Sequence, residues 1–256
     1  MMDELLRLLM EDRGGGEDIG VPRDAADKRR LIRALMNVRP PRPAAQALLE
    51  AQDRYLQAEL AARGSVPLSA IPPCGAEPDL TVWRGDITRL DVDAVVNAAN
   101  SAMLGCFIPN HGCIDNAIHS RAGIQLRLLC AELMRRQGHE EPAGRAKMTP
   151  AFNLPSRYIL HTVGPVVAGE PTKRDCELLA SCYRSCLELA ERHGLASVAF
   201  CCISTGEFHF PNEPAARIAV DEIKRFKRRA RSPIKVILNV FKELDEAIYR
   251  GLLGTA

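Results

Sequence analysis

The chain has 256 residues, 46% of them hydrophobic and 26% charged, the balance of an ordinary globular protein with enough length for a full core. With 34 basic and 32 acidic residues the formal charge is +2, without the basic excess of a general nucleic-acid binder. No apolar run approaches the roughly 20 residues that a membrane helix needs. The first segment, M-M-D-E-L-L-R-L-L-M-E-D, is acidic and amphipathic, with no basic flank or small-residue cleavage site, so it does not read as a secretory leader. Its Leu5, Leu8 and Leu9 have helical spacing.

A second helix is expected over 24–38, with Leu31, Ile32, Leu35 and Met36 on one face and a stop at Arg39-Pro40-Pro41. A third is expected over 43–63, carrying Ala47, Leu48, Ala51, Tyr55 and Leu60, with Gly64 at its end. Gly14-Gly15-Gly16 is a flexible connector between the first two. Residues 66–78 are proline-rich and read as a surface tether, so residues 1–75 form a helical extension and 76–256 the main domain.

From Leu80 the texture changes. L-T-V-W-R-G-D-I-T is a strand and turn, and D-A-V-V-N-A-A-N is a second buried strand ending in polar residues. Helices are expected over 114–134, 175–193, 214–229 and 244–253, and further strands over 157–163, 197–203 and 234–240. Continuous apolar strands alternating with helices predict an α/β fold with helices on both sheet faces. Nine cysteines, an odd number without a regular framework, point to a reducing, cytoplasmic setting. Four of them, Cys182, Cys186, Cys201 and Cys202, fall in apolar patterns where free cysteine acts as a small core residue. The basic run at 224–231 (K-R-F-K-R-R-A-R) reads as the solvated end of a helix, with nucleic acid an unlikely partner.

In α/β folds ligands sit beyond the carboxyl ends of the strands. That rule collects Asp86, Asn97 and Asn100, the loop from Gly105 to Asp115, the loop Ser204-Thr205-Gly206-Glu207-Phe208, and Asn239 with Phe241. Ser-Thr-Gly between a strand and a helix can offer backbone N–H groups to a phosphate, although such turns are often only structural. Cys106, His111 and Cys113 could supply two thiolates and one imidazole to zinc, leaving a fourth position open. On the pattern alone, a metal site and a cysteine-containing loop without a ligand stand as alternatives.

Taken in order, G-D-I-T, D-A-V-V-N-A-A-N, I-D-N-A-I-H-S-R-A-G, H-T-V-G-P and I-S-T-G-E-F-H-F-P resemble a macrodomain, the ADP-ribose-binding fold, from about residue 80 to the C-terminus. The resemblance implies a three-layer α/β/α fold with a mixed central sheet behind a helical N-terminal extension. Where ordinary macrodomains carry a glycine-rich first loop, this chain has G-C-F-I-P-N-H-G-C, which resembles the zinc-containing branch of microbial macrodomains.

That branch implies Zn²⁺ on Cys106, His111 and Cys113. It also implies Asp86, with the Ile87 N–H, at the adenine. Asn100 falls at the distal ribose with Asn97 nearby as a structural residue, and Ser204 to Phe208 around the diphosphate, with the Glu207 side chain turned to solvent. Asn239 and Phe241 border the adenine. Asp115, with Asn100, is the implied catalytic residue, through an ordered or deprotonated water. Asp115 can equally be a helix N-terminal residue favoured by the macrodipole. The implied activity is zinc-dependent hydrolysis of mono-ADP-ribose from proteins, from Asp or Glu esters, with ADP-ribose as product. The alternative is a non-catalytic ADP-ribose reader with a structural zinc. The branch also implies a sirtuin-type transferase and a lipoylated carrier protein as partners.

Overall fold

The computed structural model describes residues 1–14, 20–74, 79–229 and 234–255. Gly15 and Gly16 of the expected connector, 75–78 of the tether and 230–231 of the basic run lie outside them. Three helices come first: α1 (Met2–Arg13), α2 (Ala25–Val38) and α3 (Gln46–Arg63). Helix α2 starts where the Asp24 carboxylate accepts the N–H groups of Ala26 and Asp27, at 2.7 and 3.2 Å. It ends at Arg39, because a residue before proline is pushed out of the helical region. The three helices share a small core of their own, with Leu5, Leu9, Ile32, Leu48 and Tyr55 buried, and it closes on Ile124 of the main body.

The start of the tether is paired to the main body. Strand β1 (Val66–Pro67), which precedes β2 (Leu80–Arg84), pairs in parallel with β3 (Leu90–Asp91). The main sheet uses β2, β4 (Ala94–Ala98), β5 (Ala146–Pro150), β6 (Tyr158–Thr162), β7 (Ser197–Phe200) and β8 (Lys235–Val240). Its order is β2-β8-β7-β4-β6-β5, parallel throughout except for the antiparallel pair β5–β6. Successive strand residues point to opposite faces, and Ala94, Val95 and Val96 are all fully buried. Both faces of the sheet are therefore covered, as the apolar runs predicted. Helices α4 (Ile114–Ala122) and α5 (Ile124–Gln137) pack on each other, α4 also on β4; α6 (Lys173–Arg192), α7 (Asn212–Arg229) and α8 (Glu243–Leu253) pack in sequence.

Two expectations are corrected. The single helix over 114–134 is two helices, because Gly123 adopts φ 103° between them. At that break the Gln52 side chain of α3 accepts the Ile124 N–H at 2.7 Å and caps α5. Strand β5 was not expected. Its sequence A-K-M-T-P is a half-exposed edge carrying lysine and proline, which is how sheet edges are protected. The described part of the basic run ends α7, where Arg229 meets Glu188 at 2.8 Å and Lys227 donates to the Ile234 carbonyl at 3.0 Å.

Candidate active site and metal centre

Asp115 enters the site from the first turn of α4 and is buried. Asn97, from the end of β4, donates through Nδ2 to its Oδ1 at 2.9 Å, and Asn100 donates to its Oδ2 at 3.2 Å. Burial pushes the Asp115 carboxyl up to about 6, opposed by the Asn97 hydrogen bond and the charge of Arg127. The Asn97 amide also lies 3.2 Å from His161 Nδ1, so that nitrogen accepts, and His161 Nε2–H donates to Thr149 Oγ1 at 2.9 Å. Asn97 is fully buried; it holds Asp115 from behind and does not itself face a ligand. Asn100 spends its amide N–H groups on Asp115 and on the Gly105 carbonyl at 3.1 Å, while its Oδ1 is buried without a partner among the described residues. That oxygen suits a hydroxyl donor.

His119, one turn beyond Asp115, reaches only 3.6 Å from Oδ1, too long for a hydrogen bond, and burial drives its pKa well below the ordinary value. It is neutral, and Gly105 backs directly onto its ring: a Cβ there would sit 2.7 Å away. His119, Cys130 and His161 form a buried group, but both nitrogens of His161 are already engaged.

The loop from Gly105 to Asp115 brings the three candidate donors together. Cys106 Sγ lies 3.7 Å from His111 Nδ1, and the donor atoms of Cys106, His111 and Cys113 all fall within 4.8 Å of one another. Two sulfurs and one imidazole nitrogen converging from three residues fit Zn²⁺ with a fourth position left for a non-protein ligand. Burial pushes the free Cys113 thiol up to about 12, despite the Asn116 N–H that points at its sulfur from 3.4 Å. A bound cation reverses that preference, since a coordinating thiol is deprotonated. The other ring nitrogen of His111, Nε2, faces the Glu207 carboxylate at 3.6 Å. Carboxylates in that position orient metal-binding histidines. Glu207 is thus largely exposed, as expected, but leans on the first loop.

The residues that hold this loop were not among the sequence candidates. Arg33 of α2 donates to the His111 carbonyl at 2.8 Å and to Asn116 Oδ1 at 2.7 Å. Asn116 passes the contact on to the Ile108 carbonyl at 2.9 Å, and Asn37 accepts the Asn110 N–H at 3.0 Å. Arg127 of α5, lowered to about 10 mainly by burial, donates to the carbonyls of Leu104, Asn37 and Arg39 at 2.6, 2.8 and 2.6 Å and lies 4.2 Å from the Phe107 ring centre. The extension therefore braces the Gly105–Asp115 loop from the side.

In the second loop Ser204 has φ 65° and its Oγ is buried without a partner among the described residues. Thr205 Oγ1 donates to the Cys202 carbonyl at 3.1 Å, while the His209 and Phe210 N–H groups bond back to Gly206 and Ser204. The N–H groups of Gly206, Glu207 and Phe208 have no protein acceptor among the described residues. A turn with several free amides suits phosphate oxygens. Phe208 is half-buried beside it.

Beyond β2, Asp86 caps a short 3-10 turn (Ile87–Arg89), accepting the N–H and hydroxyl of Thr88 at 3.0 and 2.6 Å. Its Oδ2 takes Arg63 of α3 at 2.9 Å, a partner that no local signal announced. A ligand amine would share that oxygen with Arg63. Ile87 is buried beneath. Asn239 donates to the Gly85 carbonyl at 2.9 Å and so supports the Asp86 turn. Phe241 stands 77% exposed at the rim.

Carboxylate, amides, free backbone N–H groups and a soft-ligand triad thus converge on the carboxyl ends of β2, β4, β7 and β8, the place where α/β proteins hold nucleotides. The Macro domain profile matches residues 96–219. A protein-ADP-ribose hydrolase of Treponema medium is 50% identical over 98% of this chain and 97% of its own, and one of Staphylococcus aureus (strain Mu50) is 44% identical over 99% and 95%. The Trypanosoma brucei macrodomain in complex with ADP-ribose superposes with a TM-score of 0.68 at 30% identity, over 83% of this chain and 92% of that one. The chain belongs to the macrodomain family.

Proposed function

We propose that this protein is a protein-ADP-ribose hydrolase that removes mono-ADP-ribose from Asp- or Glu-modified proteins and depends on Zn²⁺ at Cys106, His111 and Cys113. The supporting observation is a buried Asp115 carboxylate fixed at both oxygens by Asn97 and Asn100, two residues along the chain from a converging Cys-His-Cys triad. The names of the full-length relatives agree with the activity. A reader module would need neither feature.

Adenine is held at Asp86 and Phe241, and the diphosphate takes the free amides of Gly206 to Phe208. Asn100 Oδ1 accepts a distal-ribose hydroxyl. Zinc, when bound, supplies Lewis acidity beside that ribose, moderated by two thiolates. Asp115 orients the attacking water and accepts its proton. The water oxygen bonds to C1″ of the distal ribose as the C1″–O bond to the modified side chain breaks, the side-chain carboxylate leaves with that electron pair, and the proton taken by Asp115 is passed on to it or to solvent. Products are ADP-ribose and an unmodified Asp or Glu. The same reading divides the chain into an extension over 1–75 and a macrodomain over 76–256.

The test is Cys113→Ser. Zinc content by metal analysis and ADP-ribose release should fall together, with the far-ultraviolet circular dichroism unchanged. Full release from a zinc-free variant would contradict the metal's role.

A further inference from the structure

A cleft of about 410 Å³ opens between α2, α3 and α4, apart from the strand ends. Arg29, Arg30, Arg33 and Arg121 line it, and the one carboxylate on its wall, Glu59, is taken by Arg29 at 2.9 Å. Arg33 is committed to the metal loop, whereas Arg30 and Arg121 make no hydrogen bond or ion pair among the described residues. The floor is apolar, formed by α2 and α3. Asn110 of the metal loop, three residues before Cys113, forms part of the wall.

Four guanidinium groups facing one carboxylate repel each other, with Arg33 and Arg121 half-buried and Arg29 and Arg30 exposed. Arg121 also depresses the Arg63 guanidinium, second only to burial. A cleft lined by one sign of charge attracts a ligand of the opposite sign. The position indicates which ligand. In the proposed reaction the group leaving the distal ribose is a side chain of another protein. It departs beside the metal loop, and the cleft begins on that loop.

We propose that this cleft docks an acidic segment of the modified protein, adjacent in sequence to the ADP-ribosylated residue. The proposal rests on the hydrolase reading for the identity of the partner, not for the charge of the cleft. It makes this surface a selector of substrates by their flanking sequence, separate from the pocket that holds ADP-ribose.

Two measurements test it. The first needs no catalysis: fluorescence anisotropy of a labelled, unmodified Glu/Asp-rich peptide. Wild-type protein should bind it, binding should weaken steeply as salt rises from 50 to 200 mM (working values of roughly this range), and the Arg30→Glu/Arg121→Glu protein should bind it at least roughly tenfold less tightly. The milder Arg30→Glu, at an exposed position, serves as a second variant. Circular dichroism and ADP-ribose affinity should match wild type. The second compares hydrolysis of ADP-ribosylated peptides with acidic and with neutral flanks. The acidic flank should raise kcat/KM through KM in the wild type and lose that advantage in the double variant. Absence of peptide binding would overturn the proposal. So would binding of tripolyphosphate without the peptide, which would assign the cleft to a phosphate ligand, or equal kcat/KM for both flanks in the wild type. Peptide binding that maps to the arginines without hydrolysis of either substrate would uphold docking and overturn the hydrolase reading instead.

Discussion

Asp115 shows what a single residue needs before it can act. Its burial favours the neutral acid and raises its pKa to about 6, the Asn97 hydrogen bond and the Arg127 charge pull the other way, and the Asn97 and Asn100 amides fix the direction of the carboxyl. Asp115→Asn keeps the shape and removes the proton acceptor. Hydrolysis should fall by about 10²–10⁴-fold with ADP-ribose affinity retained, as read by product release and calorimetry; unchanged turnover would remove Asp115 from the chemistry. At the other end, Asp86→Ala should weaken ADP-ribose binding by about 1–3 kcal/mol, and an unaltered calorimetric affinity would place the adenine elsewhere. That the donor atoms of Cys106, His111 and Cys113 meet was legible as a possibility, because the three lie within eight residues, although the spacing alone did not separate a metal site from a loop without a ligand. Arg63 on Asp86, 23 residues away, was not. Asn97 was expected as a structural residue and is one, whereas the hold of Asn239 on the Gly85 carbonyl depends on which way its amide turns at the end of its strand, and alternation of apolar residues does not set that.

At the scale of elements, the metal loop has little regular structure of its own and borrows rigidity from α2, α4 and α5. Arg33→Ala removes the clamp on the His111 carbonyl and Asn116 while leaving all three metal donors in place. Zinc affinity, measured by competition with a chromophoric chelator, should fall by roughly 10–100-fold, the usual cost of losing an outer-shell partner; equal affinity would show that the loop holds itself. The break at Gly123 offers a second test. A Cβ there would lie 2.5 Å from Gln52 Nε2, at φ 103°. Gly123→Ala should lower stability by about 1–3 kcal/mol in denaturant titration. The periodic pattern over 114–134 hid this break, because glycine inside a helical pattern is tolerated and the reason for it is supplied by α3. Strand β5 was missed for a different reason. An edge strand with half-exposed lysine and methionine lacks the apolar run that betrayed β4, β7 and β8.

Across the whole molecule, the extension has its own small core yet reaches the main domain through Arg33, Asn37 and Gln52. The helical extension and the alternating α/β body were readable from periodicity. The strand order was not, because crossover connections leave no local trace. Burial also sets a response to pH. His161 has a pKa near 3 when folded, pushed down by burial, against about 6.5 in the unfolded chain. Below 6.5 the unfolded state takes up a proton that the folded state refuses, so the stability is fully present above about 6.5 and falls as the pH drops toward 3. Denaturant midpoints measured from pH 7 to 4 with chelator present should decline, and His161→Gln should make that decline shallower, with buried His119 contributing the rest in the same direction.

The measurement that bears most directly on the central claim is release of ADP-ribose from an Asp/Glu-modified protein, before and after zinc is stripped with a chelator and after zinc is returned. Release that stops on stripping and resumes on return is the predicted result. Release that persists without zinc, or its absence despite tight ADP-ribose binding, would contradict a zinc-dependent hydrolase.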